Sequence, residues 1–186
     1  MAAHPSGHYP GTCRQAGYAF SLPTTAWRIR TPAKFPPYRE WIHDIHPEQV
    51  DKAEIQDFVV RRRDGLPAYQ IASVVDDIRG GINFIVRGED LRPSTQAQVF
   101  WAGLVPAYQT FANTIFWHHS LLLDTSGAKL SKSAGAASLK TQRESGQSST
   151  KLYQKFSELL GFLPGQQVQD LKTSFARFFP KPPFSK

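Results

Sequence analysis

Between positions 57 and 105 the spacing of apolar residues changes three times, and each change marks an element. Asp57–Arg63 is rich in β-formers, Asp64-Gly65 is a tight-turn pair, and Leu66–Tyr69 is a second short extended run, so the pattern predicts a hairpin. Ile71, Val74, Val75 and Ile78 then fall at i, i+3, i+4 and i+7, one stripe of a helix. Gly80-Gly81 ends that helix, because glycine takes the left-handed capping conformation at no steric cost. Ile82–Val86 has the length of a buried strand and runs into the polar loop Arg87-Gly88-Glu89-Asp90. Thr95 with Gln98 three residues on reads as a capping box opening a buried apolar helix to Val105.

The flanking chain extends the same alternation. Trp27–Arg30 alternates as a strand, and 31–56 reads as a proline-interrupted amphipathic insertion packed on the sheet. Phe111–Leu123 reads as extended, with Ser120-Leu121-Leu122-Leu123 as its inner strand, followed by a turn over Asp124–Ala128. Residues 141–150 read as a flexible linker. Leu152, Tyr153, Phe156, Leu159 and Leu160 then make an amphipathic helix stopped by Gly161, and Val168, Leu171, Phe175 and Phe178 make another. The expected class is α/β with C-terminal helices, and no internal repeat is evident.

Composition narrows the partners. Hydrophobic residues make up 40% of the 186 and aromatic residues 12%, enough for a core and too many for disorder. No apolar run approaches the ~20 residues of a membrane span, and the N-terminus lacks a basic-then-apolar signal, so a cytoplasmic protein with no membrane partner is expected. The whole net charge of +7 falls in residues 129–186, which suits a polyanion. The single cysteine, Cys13, has no partner for an internal disulfide.

Several clusters invite chemistry. In open α/β sheets ligands sit beyond the carboxyl ends of strands, where Arg87 falls, although a charged loop there reads equally as solvated. His118 and His119 are adjacent on a strand, so they point to opposite faces and cannot share a metal. Lys129-Leu130-Ser131-Lys132-Ser133 is a two-lysine loop among small residues that can follow a phosphoryl group, though it is not a Walker loop. His4, His8, Tyr9 and Cys13 suggest zinc, yet structural zinc sites usually take paired ligands and only one thiolate is present.

Taken in order, DFVVRRRDGLPAYQIASVVDDIRGGINFIVRGEDLRPSTQ closely resembles the glutamyl-tRNA synthetase family of class I aminoacyl-tRNA synthetases. It is most similar to the family's short branch, the glutamyl-queuosine tRNA(Asp) synthetases. AWRIR matches the corresponding place, and Lys129–Ser133 resembles the family's Lys-Met-Ser-Lys-Ser signature with Leu130 for Met. The match is thin over 31–56. His4-Pro5-Ser6-Gly7-His8 is one residue too long for the His-x-Gly-His signature, and no strand precedes it, so it is a coincidence.

The resemblance implies the second half of a Rossmann-like class I catalytic domain with a small α/β insertion and C-terminal helices. Its layout would be a zinc-site and insertion remnant over 1–56, a Rossmann half with the lysine loop over 57–140, and a basic helical tail over 141–186. It implies ATP-Mg activation of glutamate and transfer to tRNA(Asp) or tRNA(Glu). Tyr69 and Arg87, with Ser73 and less strongly Asp77, would bind glutamate. Lys129 and Lys132 would be catalytic, with Leu130, Ser131 and Ser133 completing the ATP-binding loop. Tyr9 and Cys13 would be half of a zinc site whose upstream cysteine pair is missing. Only 53 residues follow Ser133, too few for a large anticodon-binding region. The first half of the site, with the opening strand and part of the glutamate pocket, would lie on a missing N-terminal part, so the chain alone is expected to turn over negligibly. The rival readings are a non-catalytic tRNA-binding or complex-forming remnant, or one chain of a split enzyme.

Overall fold

The computed structural model describes residues 9–41, 55–121, 123, 127, 129, 138–159, 169 and 173. The chain divides into two compact units, 1–121 and 122–186.

In the first unit the elements run β1 (Trp27–Ile29), β2 (Arg39–Glu40), β3 (Phe58–Arg61), α1 (Tyr69–Arg79), β4 (Phe84–Gly88), α2 (Arg92–Leu104) and β5 (Ile115–His119), with 3-10 segments at Glu89–Leu91 and Pro106–Asn113. β1 and β3 pair antiparallel as a two-stranded ribbon. The other sheet has the order β2-β5-β4 and is parallel throughout, with Arg87 opposite His118 and Glu40 opposite Phe116. Parallel neighbours need a crossover connection, and α2 supplies it between β4 and β5.

The helical stripe is where the apolar spacing puts it. Val74 is fully buried and packs with Tyr38, Val99, Ala102, Phe111 and Phe116, while Ile78 lies against that core. Gly81 takes φ +66°, the Ile82 amide reaches back to the Asp77 carbonyl and the Gly81 amide to that of Ile78. That is the paired Schellman closure, and it needs a residue without a Cβ. The Asp64-Gly65 turn also forms, with Gly65 at φ +84° and its amide on the Arg62 carbonyl. Its second arm is a single bridge between Arg61 and Pro67, since Tyr69 already begins α1.

Four expectations are corrected. Thr95 and Gln98 do not cap a helix: α2 starts at Arg92 with Pro93 in its first turn, and both residues are fully buried within it. Proline pre-sets the first-turn backbone, so the helix begins earlier than the capping-box signature indicates. The β4 strand runs through Arg87 to Gly88 rather than stopping at Val86. The last inner strand ends at His119, so Ser120 and Leu121 lie beyond it; Leu123 is only bridged to Lys129 across the turn that contains Gly127 at φ +81°.

The fourth correction concerns 141–150, which is not a free linker. Within the second unit, α3 (Leu139–Glu144) is capped by the Ser138 hydroxyl accepting the Thr141 amide, and α4 (Ser149–Leu159) starts after a turn at Gly146. Polar composition concealed a helix held by a local cap. Of the final predicted helix, Gln169 and Thr173 are described, both helical; its remaining residues, and Leu160 and Gly161, lie outside the described residues.

Candidate functional site

The alternation of β4 and β5 sends Ile85, Arg87, Phe116 and His118 toward the helices, and this places an arginine in an aromatic and polar interior. Arg87 is 9% exposed, and its Cζ lies 5.3 Å from the centroid of the Phe116 ring. Its Nη1 donates to Gln98 Oε1 at 2.8 Å and to Thr95 Oγ1 at 3.2 Å. These partners are neutral, and among the described residues Arg87 makes no salt bridge. Burial pulls its pKa below the ordinary arginine value, with Tyr69, Asp77 and Tyr38 opposing that shift. The same burial pushes the Asp77 carboxyl up, while the Arg87 charge works against it.

The polar network continues in two directions. Gln98 Nε2 donates to Ser73 Oγ at 2.7 Å, and Ser73 donates to the Tyr69 carbonyl at 2.9 Å. Tyr69, Ser73 and Arg87, singled out by the sequence, are therefore joined through a glutamine that the sequence misassigned. Tyr69, the first residue of α1, is 58% exposed. On the other side Thr95 Oγ1 lies 2.9 Å from His118 Nε2, and His118 Nδ1 lies 2.7 Å from Glu40 Oε2. Glu40 Oε1 also accepts the His118 amide at 2.8 Å.

The Thr95 hydroxyl donates to the Leu91 carbonyl at 3.3 Å, which leaves its lone pairs for Arg87 and for a proton on His118 Nε2. Burial alone raises the Glu40 carboxyl, but the hydrogen bonds and charge of His118, with Arg92, outweigh it and hold it below the usual carboxylate range. Sequence reasoning missed Glu40, Gln98 and Thr95 as parts of this site; it placed Glu40 in an insertion packed on the sheet, whereas Arg39–Glu40 is itself a strand of the parallel sheet, paired with β5. The available signal was one carboxylate inside the aromatic run Tyr38-Arg39-Glu40-Trp41.

His118 and His119 do face opposite ways, the first buried and the second exposed. Lys129 is exposed, whereas Leu130, Ser131, Lys132 and Ser133 lie outside the described residues. Tyr9 and Cys13 sit in one turn, but the Tyr9 hydroxyl accepts the Cys13 amide at 2.9 Å. Among the described residues no three His, Cys, Asp or Glu side chains are grouped to hold a metal, and His4 and His8 are outside them. Two donors, one already accepting an amide, do not make the four-ligand set that a structural zinc needs.

A parallel sheet with a helical crossover is the architecture of a Rossmann-like α/β half-domain, and Arg87 lies near the carboxyl end of one of its strands. Residues 28–174 match the catalytic-domain family of class I tRNA synthetases (E and Q). A glutamyl-Q tRNA(Asp) synthetase of Nocardia farcinica is 35% identical over 179 residues, covering 92% of this chain and 54% of that protein. That of Thiobacillus denitrificans is 41% identical over 133 residues, covering 70% and 42%. A solved glutamate tRNA ligase from Elizabethkingia meningosepticum, in complex with its amino acid, is 28% identical over 58% of this chain and 21% of that one, with a TM-score of 0.42. The chain belongs to the class I glutamyl and glutaminyl tRNA synthetase catalytic-domain family. It spans about half the length of the curated relatives it matches. No helix among the described residues is long and apolar enough to cross a membrane.

Proposed function

We propose that this chain supplies one half of a glutamate-activating site, used with ATP-Mg and tRNA. The observation that carries the reading is Arg87: a buried guanidinium near a strand's carboxyl end, hydrogen-bonded among the described residues only to neutral groups and linked through Gln98 to Ser73 and the Tyr69 carbonyl. A desolvated cation without a counter-ion is costly in isolation, and an arriving carboxylate relieves that cost with a charge-assisted, bidentate pair.

In the reaction a glutamate carboxylate oxygen attacks the α-phosphorus of ATP. The new P–O bond forms as the bond to pyrophosphate breaks. A tRNA hydroxyl then attacks the acyl carbon, loses its proton and releases AMP. Lys129 and Lys132, in the loop with Leu130, Ser131 and Ser133, would neutralise charge on the departing pyrophosphate. Mg arriving with ATP would supply further positive charge against its phosphates. The names of the relatives favour tRNA(Asp) over tRNA(Glu) as acceptor.

Half a pocket loses the positioning on which such catalysis rests. We therefore expect weak glutamate binding and little pyrophosphate exchange from the 186 residues alone. Robust glutamate-dependent exchange would overturn the half-site reading. Glutamate heats that are the same for wild type and Arg87→Met would overturn the site itself. A split enzyme is supported by the coverage of the relatives and by β4, one of the two edge strands of the three-stranded sheet among the described residues, with Val86 exposed upon it. A non-catalytic tRNA-binding role is supported by the +7 held in residues 129–186. Filter binding of tRNA separates that role: a remnant binds with a steep salt dependence and ignores ATP and glutamate.

A further inference from the structure

A cavity lies on a different stripe of α2 from the Thr95 and Gln98 that hold Arg87. It has a volume of about 330 Å³, between the β1–β3 ribbon and the first turns of α1 and α2, and its polar lining is Tyr9, Arg28, Gln56, Asp57, Gln70 and Ser94. Gln70 Nε2 donates to Ser94 Oγ at 3.1 Å, while Gln70 Oε1 is buried with no hydrogen-bond partner among the described residues. Because Ser94 accepts that bond, its own proton remains available to donate. An acceptor and a donor therefore stand side by side at one wall.

Charge decides what the cavity takes. Arg28 contributes one positive charge, donates from Nη1 to the Asp57 carbonyl at 2.7 Å, and lies 4.3 Å over the Tyr9 ring. The Asp57 carboxylate is held by Arg14 and Thr31. With the Asp57 carboxylate offset by Arg14, one cation remains, already engaged with a carbonyl and the Tyr9 ring; the orphaned amide oxygen, an acceptor, disfavours both an anion and an apolar guest. A neutral planar ring with an amine beside a ring nitrogen satisfies both Gln70 and Ser94, and guanidinium planes are stacking surfaces for bases.

We propose that this cavity takes the Watson–Crick edge of one unpaired adenine or cytosine of bound RNA, its amine donating to Gln70 Oε1 and its ring nitrogen accepting from Ser94. The inference rests on RNA being a partner, as proposed above.

The test uses the full chain with tRNA(Asp), the variants Gln70→Leu and Ser94→Ala, and free adenosine and cytidine as competitors. Gln70→Leu should weaken tRNA binding about tenfold, the loss of one buried hydrogen bond. The slope of log affinity against log salt should not change, because no phosphate contact is removed. One unpaired A or C should be protected from dimethyl sulfate by the wild type and exposed again with either variant. Steep, salt-dependent tRNA binding with affinity and protection unchanged in both variants would overturn the cavity assignment alone. No tRNA binding by the wild type would overturn it together with the RNA reading. Free nucleoside bound as tightly as tRNA would make the occupant a free nucleotide and overturn the RNA assignment.

Discussion

Replacing Arg87 with methionine should separate function from stability. The wild-type guanidinium has no ion pair among the described residues and is 9% exposed. Removing it relieves a desolvation cost of several kcal/mol that the Asp77 charge offsets only in part. Against this, Gln98 Oε1 loses its partner, at about 1–3 kcal/mol, while Thr95 keeps His118. Methionine fills similar volume along the Phe116 ring, and a sulfur–aromatic contact is mildly favourable. These contributions nearly cancel, so the unfolding free energy should change by less than about 1.5 kcal/mol. Binding moves the other way. Each charge-assisted hydrogen bond to a carboxylate contributes about 1.5–3 kcal/mol, so losing two costs at least a hundredfold in Kd, at about 1.4 kcal/mol per decade. Urea unfolding and glutamate calorimetry on the same preparation measure both quantities. Destabilisation beyond about 3 kcal/mol would make Arg87 a structural pin. Unchanged glutamate affinity would remove it from the substrate site.

Two further outcomes follow from the carboxylates. Glu40 is held below its usual range in the folded chain, so its contribution is complete above the unfolded carboxylate value, about pH 4.5, and is lost as pH falls through the lower folded value. Urea unfolding from about pH 6 to pH 3 should show an acid limb that Glu40→Gln flattens; an unchanged limb would mean that the pair with His118 contributes nothing to pH dependence. Asp57 is likewise depressed, chiefly by its Arg14 hydrogen bond, and it also accepts the Thr31 amide. Asp57→Asn should therefore loosen residues 9–14 from the ribbon, and trypsin should cut after Arg14 faster than in the wild type.

How much of this was legible depends on the range of each interaction. The α1 stripe and its glycine stop are local, and the sequence predicted them because one helix turn decides them. Thr95 and Gln98 match a capping signature whether they cap a helix or face its interior, and only the partner on β4 distinguishes the cases. Glu40 reaches His118 across 78 positions, and no window of local sequence contains both. Arg87 was identified by resemblance as well as by its place after a strand; its neutral partners became visible only with the sheet in register. The polar run after Ser138 lacks an apolar stripe, yet a serine cap and a Lys140–Glu144 pair at 3.9 Å accompany a helix there.

The outermost position of β4 carries a thermodynamic corollary. A strand laid along that border would stand beside the guanidinium three-quarters of the way down β4, so zipping up the sheet and housing the amino acid would become linked equilibria. By reciprocity, whatever factor glutamate adds to the grip on such a companion strand, the companion returns to glutamate. Substrate would then act as a glue for assembly as well as its cargo.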